Sequence, residues 1–395
     1  MRRLIRLEDA IFKVRERIKP VGIEEIRVKD SIDRILAKDV FSKIDVPPFD
    51  RSAMDGFAVI AEDTYSASYD EPVVLRKSNS NEVKRGECVY VNTGSPIPDG
   101  ANAVVMVEYT KINGDNVFIF DSVHPLKNVS QKGEDLKKGD KILGKSSVIR
   151  PQDSSLMISA GIKKISVYKK PKIVVFCTGD ELLEFDEELR EGMIYETNSF
   201  MIRDEFFNIV RGGIIRDVEE EIERCLEKDF DAIIFTGGSS VGEKDLVPKV
   251  LHKKGELLVN GISIRPGEPT AIGFFKDKPV FCLPGNPVAS FISFNFVVKP
   301  CILKMLDLPK LNNIVLKGRL NRGIVSEIGR RDFVRVKYRK GIVDPVMTGG
   351  SGILHSLVHA NGVVIVDEDS EGFKRGEEVE VVLFSWRDLY SPELS

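Results

Sequence analysis

A chain of 395 residues is long enough for roughly two to four domains, and its 42% hydrophobic residues are typical of a globular protein. The formal net charge of −3 gives no reason to expect nucleic acid or an anionic membrane as a partner. No apolar stretch approaches the ~20 residues that a membrane span needs, and the N-terminus lacks the features of a signal or transit peptide. Five scattered cysteines without a C-x-x-C pair suit a reducing compartment, so we expect a cytoplasmic protein.

The first part of the chain is predicted to combine short helices with a β-rich module. Apolar spacing predicts a helix over residues 4–18, which Pro20 ends. Short alternating runs such as Glu87–Val91 and Asn116–Phe120, separated by glycine turns, predict many short strands. A short helix is expected at Pro151–Ala160.

These patterns define the expected N-terminal region, residues 1–168. Within it we expect a linker subdomain, formed by residues 1–45 and 146–168. The β-rich subdomain, about residues 46–145, is inserted into that linker subdomain.

The middle of the chain has three unbroken apolar runs that each end in a turn rich in Gly, Asp or Pro. Such runs suit strands that are buried on both faces of a parallel sheet. They lie at Lys172–Leu182, Asp231–Asp245 and Pro279–Pro287. Helical patterns at Asn198–Gly213 and Asp217–Leu226 alternate with them. Residues 169–308 are therefore predicted to form a three-layer α/β/α domain with a mostly parallel sheet.

The end of the chain reverts to short strands separated by glycines. Residues 309–395 are expected to form a small β-barrel-like module. The predicted fold class is a multi-domain protein of α/β and β parts.

The loops after the three apolar runs are the candidate site, because open α/β sheets bind ligands at the carboxyl ends of their strands. The glycines of T-G-G-S-S-V-G-E-K-D, Thr236–Asp245, allow backbone N–H groups to face an anion. Asp245 suits a magnesium ion, but it also suits a helix cap in a plain strand–helix turn. Asp180 and Glu181 of T-G-D-E-L could equally be solvated acids or metal ligands.

Two further turns have both a structural and a functional interpretation. In P-G-N-P, Asn286 suits a helix N-cap and Pro287 the first helical position, and the same geometry points N–H groups toward the sheet edge. Arg265, which precedes Pro266, suits phosphate or another oxyanion, but a solvated surface arginine is as good an explanation. The four histidines lack zinc-site spacing, and no serine has a G-x-S-x-G context.

Taken together, six motifs in order resemble a known family over nearly the whole chain. They are S-A-M-D-G-F-A (Ser52–Ala58), N-T-G-S-P-I-P-D-G-A (Asn92–Ala101), T-G-D-E-L, T-G-G-S-S-V-G-E-K-D, R-P-G-E-P and P-G-N-P. The chain thereby resembles the molybdopterin molybdenumtransferases, the MoeA-type molybdenum insertases related to the C-terminal domain of gephyrin.

The resemblance implies an enzyme, a transferase that performs the last step of molybdenum cofactor synthesis. Molybdate enters the dithiolene of adenylylated molybdopterin, and AMP is released with the help of Mg²⁺. The implied protomer has four parts and forms a homodimer, with each active site between the α/β domain of one subunit and the N-terminal module of the other. Other molybdenum cofactor biosynthesis proteins are further implied partners.

The family's functional positions carry over to particular residues. The implied catalytic residues are Asp55, Thr93, Glu181, Asp217 and Asp245, of which Glu181, Asp217 and Asp245 also are the metal ligands. The implied substrate-binding residues are Gly237, Gly238, Ser239, Arg265, Pro284, Gly285, Asn286, Arg335 and Ser351.

One stretch departs from the family pattern. Three usual lysine positions carry Gly261, Arg265 and Glu268, which affects how strongly an oxyanion or phosphate is held and leaves tungstate as an alternative to molybdate. Two other functions stay open: a nucleotidyl transferase that makes adenylylated molybdopterin, and a non-catalytic scaffold. The flanking modules argue against the first, and the lack of an added interaction domain argues against the second.

Overall fold

The computed structural model of the chain describes residues 4–237, 246–308, 313–346, 352–385 and 388. The chain separates into two units, Met1–Ile23 with Tyr168–Ser395, and Glu24–Val167. The finer four-part division predicted from the sequence stays a prediction.

The first element is helix α1, Leu7–Arg17, as the apolar spacing predicts. Acidic residues in its first turn and basic residues in its last turn complement the helix dipole. Leu7, Ala10 and Val14 are buried. Arg15 ties the helix to the end of the α/β layer, because it donates to the carbonyl oxygens of Pro300 and Leu308 at 2.5 and 2.9 Å.

The second unit is rich in short strands, in agreement with the prediction. Its helix is α2 (Pro151–Ser159), with 3₁₀ turns at Val28–Asp30, Ala61–Thr64 and Val107–Tyr109. Its strands are β1 (Ile23–Arg27), β2 (Val40–Phe41), β3 (Arg51–Ser52), β4 (Gly56–Val59), β5 (Val73–Ser78), β6 (Glu87–Val91), β7 (Ala103–Met106), β8 (Thr110–Asn113), β9 (Asn116–Ile119), β10 (Val129–Ser130), β11 (Lys141–Leu143) and β12 (Lys164–Tyr168).

The main sheet of that unit has six strands in the order β7-β4-β6-β5-β9-β8. One face buries a core around Phe57, Leu75 and Ile119, all of them inaccessible or nearly so. Alternation of buried and exposed residues, as along β9, is what places a single apolar face inward.

The α/β layer follows. Its strands are β13 (Lys172–Thr178), β14 (Leu182–Leu183), β15 (Ile194–Tyr195), β16 (Asn208–Ile215), β17 (Ala232–Thr236), β18 (Glu256–Asn260), β19 (Ile264–Arg265), β20 (Ala271–Phe275) and β21 (Lys278–Leu283). Its helices are α3 (Asn198–Met201), α4 (Glu219–Leu226), α5 (Leu246–Lys254), α6 (Pro287–Ser293) and α7 (Lys299–Ile302), with a π-helical turn at Phe294–Val298 and a 3₁₀ turn at Leu303–Leu306.

Six of these strands form the central sheet, in the order β16-β13-β17-β21-β20-β18. The first four strands run parallel, and β20 pairs antiparallel with β21 and with β18, so the sheet is mostly parallel as predicted. Helices α4 and α5 cover the face that carries Val174 and Phe176. Helices α3 and α6 contact β13 and β21 and each other. The three-layer arrangement is therefore confirmed.

One predicted helix is wrong. The segment Asn198–Gly213 is helical only over α3, and residues from Asn208 onward form β16, an edge strand parallel to β13. A Cβ on Gly212 would lie 2.2 Å from the ring of Phe176, so the strand packs tightly on its neighbour. The pairing of seven residues with β13 outweighs the helical spacing of the apolar side chains in this segment.

A second correction concerns the apolar helical segment Pro287–Leu306. Its 20 residues are long and apolar enough to cross a membrane by length and composition, contrary to the expectation that no such stretch exists. Of its most apolar window, 67% is buried inside the protein. Packing in the fold accounts for this apolar character.

The last part of the chain forms a closed barrel, which confirms the β-barrel-like module. Its elements are β22 (Val315–Leu320), β23 (Ile324–Val325), β24 (Arg331–Arg339), β25 (Ile342–Pro345), α8 (His355–His359), β26 (Gly362–Val366), β27 (Gly372–Phe373) and β28 (Glu378–Leu383). Strands β24-β25-β22-β28-β26 close on themselves through the β24–β26 pair. Strand β19 extends this sheet from the α/β layer, because it pairs in parallel with β24.

Candidate functional site

A large cavity lies at the carboxyl ends of three neighbouring parallel strands. It has a volume of about 1090 Å³ and is lined by the residues that follow β13, β17 and β21. This is the edge at which the sequence predicts a ligand. We call it the acidic cavity, because its described lining includes four carboxylates and no Lys, Arg or His: Asp180, Glu181, Glu196 and Asp217.

Glycines allow the strand-terminal loops to approach one another closely. Gly237 has φ +93°, and a Cβ there would lie 2.1 Å from the carbonyl oxygen of Thr178. A Cβ on Gly285 would lie 3.4 Å from the Cα of Gly237. Gly237 therefore needs glycine, and Gly285 places the P-G-N-P turn in contact with it at the end of β17.

The carboxylates of the acidic cavity offer the oxygen ligands that magnesium prefers. The carboxylate of Glu181 folds back over Gly179, whose Cβ would lie 2.8 Å from Oε2. Asp217 lines the same cavity at the start of α4. Within the ranges that the structure describes, no three metal-ligating side chains form a group. Asp245, the third predicted metal ligand, lies outside those ranges.

Glu196 is the most deeply buried acid of the cavity, and the sequence analysis did not select it. It accepts hydrogen bonds from the backbone N–H and the hydroxyl of Ser199 at 2.7 and 2.6 Å, and pairs with Arg211 at 3.2 Å. Burial alone would raise the pKa of Glu196, but its hydrogen bonds lower the pKa below the usual value. Glu196 is therefore a fixed negative charge in the cavity wall.

Two other residues of the wall were also overlooked, Thr178 and Asn198. Both are buried, and within the described residues neither the hydroxyl of Thr178 nor Oδ1 of Asn198 has a hydrogen-bond partner. In the sequence, Thr178 stands out only as part of T-G-D-E-L and Asn198 only as the start of a predicted helix. A hydroxyl at the end of a buried strand was the available signal.

A smaller cavity of about 340 Å³ lies beside the acidic cavity, and Pro269, Pro284 and Asn286 line both. We call it the arginine cavity, because its lining includes three arginines: Arg265, Arg330 and Arg335. Helix α6 begins directly after Asn286, with Pro287 at its first position as predicted, although the Asn286 side chain makes no capping hydrogen bond.

The arginines of this cavity differ in their surroundings. Arg265 forms a two-pronged pair with Asp332, with Nε 2.6 Å from Oδ1, and lies 3.4 Å from Glu327. Arg330 pairs with Glu268 at 2.8 Å, so the two charged residues among the three departures from the family pattern, Arg265 and Glu268, each have an ion-pair partner. Arg335 is only 5% exposed, and burial lowers the pKa of its guanidinium.

In the other unit, two predicted catalytic residues lie together. The backbone N–H and the hydroxyl of Thr93 donate to the same Asp55 oxygen at 2.6 and 2.8 Å. These hydrogen bonds lower the pKa of Asp55, which keeps the carboxylate ionised at neutral pH. Both side chains are exposed.

The structure thus distributes the predicted site residues over three places. The acidic cavity contains Glu181, Asp217, Gly237, Pro284, Gly285 and Asn286. The arginine cavity contains Arg265 and Arg335 and shares Pro284 and Asn286. Asp55 and Thr93 are in the second unit. Gly238, Ser239, Asp245 and Ser351 lie outside the described residues.

Comparison with known proteins agrees with this architecture along the chain. Residues 5–161 match the MoeA N-terminal region (domain I and II), residues 174–304 match a probable molybdopterin binding domain, and residues 317–384 match the MoeA C-terminal region (domain IV). A Methanocaldococcus jannaschii protein ascribed to molybdopterin biosynthesis is 38% identical over 378 residues, covering 91% of this chain and 92% of its own. The chain belongs to the MoeA family of molybdopterin molybdenumtransferases.

Other members of the MoeA family span nearly the whole chain as well. The molybdopterin molybdenumtransferase of Haemophilus influenzae is 30% identical over 400 residues, which cover 97% of this chain and 99% of that protein. The crystal structure of a molybdopterin biosynthesis MoeA protein from Pyrococcus horikoshii has a TM-score of 0.84 at 34% identity, covering 97% of this chain and all of that one. This MoeA-family chain is accordingly a transferase of molybdenum cofactor biosynthesis.

Proposed function

We propose that this chain inserts molybdate into adenylylated molybdopterin and releases AMP in a Mg²⁺-dependent reaction, as a cytoplasmic homodimer. The carrying observation is the acidic cavity at the carboxyl ends of β13, β17 and β21, next to the arginine cavity. The acidic cavity offers oxygen ligands for a metal, and the arginine cavity offers guanidinium groups for an oxyanion. Membership of the MoeA family supports the same reaction.

The charge of the acidic cavity calls for a cation. A substrate with two phosphates would be repelled by four carboxylates, because like charges at a few ångströms interact strongly even at an effective dielectric constant of 20. Bound Mg²⁺ would neutralise phosphate oxygens and polarise phosphorus. We propose Glu181 and Asp217 as its anchors, together with Asp245.

The remaining residues bind and orient the substrate. Backbone N–H groups at the start of α6, after Pro284, Gly285 and Asn286, would face phosphate oxygens. The N–H of Gly237 donates to the carbonyl oxygen of Leu283, so Gly237 would serve by its lack of a side chain, which lets the substrate approach the backbone. Gly238 and Ser239 are proposed to continue this backbone contact. In the arginine cavity, Arg335 and Arg265 would hold the oxyanion, with Ser351 as a further contact.

Asp55 and Thr93 are proposed to act on the same substrate from the second subunit of the homodimer. Their shared hydrogen bonds keep Asp55 anionic, so it can accept a proton or hydrogen bond from the substrate. Sedimentation at several concentrations tests the dimer. A chain that stays monomeric yet fully active would contradict this part of the proposal.

The decisive experiment measures AMP after the full chain is mixed with adenylylated molybdopterin, Mg²⁺ and molybdate. We expect release to require both Mg²⁺ and the oxyanion. Tungstate in place of molybdate tests the alternative oxyanion. Consumption of ATP with free molybdopterin, in place of AMP release, would favour adenylyl transfer instead.

Two variants test the acids in the same assay. Asp217→Asn and Asp245→Ala should each abolish AMP release while circular dichroism shows an intact fold. Asp229→Asn, which changes an exposed acid of the same layer, is the matched control and should retain full release. Full release by Asp217→Asn would remove that residue from the proposed metal site.

A further inference from the structure

Two buried polar atoms in the wall of the acidic cavity lack hydrogen-bond partners within the described residues: Oγ1 of Thr178 and Oδ1 of Asn198. The residues are 2% and 8% exposed, and both line the cavity. A buried polar atom without a partner costs free energy, so native structures rarely contain one without a reason. Two such atoms in one cavity wall indicate a ligand that forms the missing hydrogen bonds.

The two atoms belong to one continuous piece of wall. A Cβ on Gly237 would lie 3.2 Å from the hydroxyl of Thr178, so Gly237 lies directly beside that hydroxyl. Gly285 approaches Gly237, and the carbonyl oxygen of Gly285 accepts a hydrogen bond from Nδ2 of Asn198 at 2.8 Å. Thr178 and Asn198 therefore flank the same pair of glycines.

The hydrogen bond of Asn198 decides what its free atom can bind. Because Nδ2 donates to Gly285, the amide orientation is fixed and Oδ1 is left as an acceptor. Ionised phosphate and molybdate offer only acceptor oxygens, so neither can satisfy Oδ1. A ligand group with an N–H donor can, and the Thr178 hydroxyl can donate to or accept from the atom beside it.

We propose that Thr178 and Asn198 bind the edge of an amino heterocycle, in which N–H donors stand beside acceptor atoms. This assignment rests on the proposed function, since both the pterin and the adenine of adenylylated molybdopterin are amino heterocycles. The substrate would then make two kinds of contact. The acids, through the metal, and the arginines bind the phosphates and the oxyanion, and Thr178 and Asn198 bind the ring.

The test is equilibrium binding of three probes to the full chain: pterin, AMP and ribose 5-phosphate. Thr178→Val removes the hydroxyl and keeps the shape of the side chain. We expect it to weaken binding of pterin or AMP about tenfold, the effect of one hydrogen bond lost from a buried site. The probe that loses affinity identifies which ring is bound. Ribose 5-phosphate, which has phosphate and hydroxyls but no ring nitrogen, should bind Thr178→Val and the parent chain equally.

The melting temperature separates this role from a structural one. Since the Thr178 hydroxyl has no partner among the described residues, Thr178→Val should leave the melting temperature of the ligand-free protein unchanged or raise it. Thr178→Ser should restore ring binding. The matched control is Thr236→Val, because the Thr236 hydroxyl already donates to Sγ of Cys177 at 3.2 Å, and ring affinity should change less than twofold.

Asn198→Ala provides a second measurement at a temperature where that variant is folded. It should weaken binding of the same ring as Thr178→Val. Unchanged ring affinity in both variants, or a lowered melting temperature with unchanged affinity in Thr178→Val, would overturn the assignment. An equal loss for ribose 5-phosphate would also overturn it. A parent chain that binds neither pterin nor AMP would refute the proposed function and this assignment together.

Discussion

Asp55 and Thr93 are joined by two hydrogen bonds that end on one carboxylate oxygen. The donors are the backbone N–H of Thr93 at 2.6 Å and its hydroxyl at 2.8 Å. The M-D-G and N-T-G motifs lie far apart in the sequence, yet they meet at this point. The pair links two motifs that the sequence could only place in separate turns.

Replacing Thr93 by valine removes one of the two donors and keeps the other. The hydrogen bonds stabilise the ionised carboxylate, so Thr93→Val should raise the pKa of Asp55 toward its usual value of 3.8. Because the folded-state pKa is lowered, the contribution of the pair to stability exists above the unfolded-state pKa. It is lost as the pH falls through the folded-state pKa. Carbon-detected NMR titration of the Asp55 carboxyl measures the change, and a pKa that stays the same would contradict it.

Arg211 holds the buried charge of Glu196. It also donates to the hydroxyl of Ser199 at 2.7 Å and to Glu184 at 2.8 Å, and it stacks on the ring of Phe200. Arg211→Met should lower the free energy of unfolding by about 3 kcal/mol, because it leaves a buried carboxylate without its cation. Urea unfolding at neutral pH measures this loss.

The control for Arg211 is an exposed pair on the same unit. Arg17 and Glu256 lie 2.9 Å apart and both side chains are nearly half exposed, so Arg17→Gln should change stability much less than Arg211→Met. Equal losses of unfolding free energy in the two variants would show that the buried pair stabilises the fold no more than the exposed pair. The effect of Arg211→Met should shrink as the pH falls through the folded-state pKa of Glu196, which lies below its usual value, because the carboxylate then loses its charge.

Gly237 combines a left-handed backbone with a close contact. Gly237→Ala should destabilise the protein by about 3 kcal/mol, because the new Cβ would lie 2.1 Å from a carbonyl oxygen and the φ of +93° is unfavourable for alanine. Gly329→Ala is the matched control, with φ +100° and open space around the new Cβ, and should cost about 1 kcal/mol. Thermal unfolding of both variants gives the comparison. Similar losses of stability in the two variants would mean that the positive φ alone, and not the close contact, causes the destabilisation.

The arginine cavity allows the two predicted oxyanion residues to be separated. The carboxylate of Asp332 already neutralises much of the charge of Arg265. Arg335 is only 5% exposed on β24, and a desolvated guanidinium attracts an oxyanion more strongly. Arg335→Gln should weaken molybdate binding at least tenfold, and Arg265→Gln by only about twofold to fivefold. Calorimetric titration with molybdate measures both. A larger loss for Arg265→Gln would restore that residue as the main clamp.

All five cysteines are free and buried. Burial raises the pKa of Cys177, and likewise of Cys88 and Cys301, to about 12. Since the thiolate is the reactive form, a disulfide reagent at pH 8 should modify no cysteine in the folded protein and all five after unfolding. Rapid reaction of any thiol without unfolding would contradict the buried environment.

Sequence patterns predicted those elements in which the polarity of successive side chains shows which faces are buried. The unbroken apolar runs of β13, β17 and β21 predicted a parallel sheet, because strands covered on both faces have no polar side. The prediction of one helix over Asn198–Gly213 was wrong, because an edge strand and a helix can have the same spacing of apolar residues. The strand became visible only through its pairing with β13.

The candidate site divides in the same way. Glu181 and the P-G-N-P turn follow buried strands, so their types and positions marked them as residues of the sheet edge. Asp217 was selected only through the resemblance to the family. Glu196, Thr178 and Asn198 have no such mark, because what distinguishes them is burial and the presence or absence of partners. The partners of Arg265 were equally hidden, as Asp332 is 67 residues away.

The sequence by itself therefore determined the order of modules, the type of sheet and the acids and glycines at its edge, since these depend on local periodicity and turn chemistry. Only the tertiary structure decided which charges are neutralised and which polar atoms of the described residues lack hydrogen-bond partners. Those properties depend on distances between residues far apart in the chain, because hydrogen bonds and desolvation act through space and leave no local pattern.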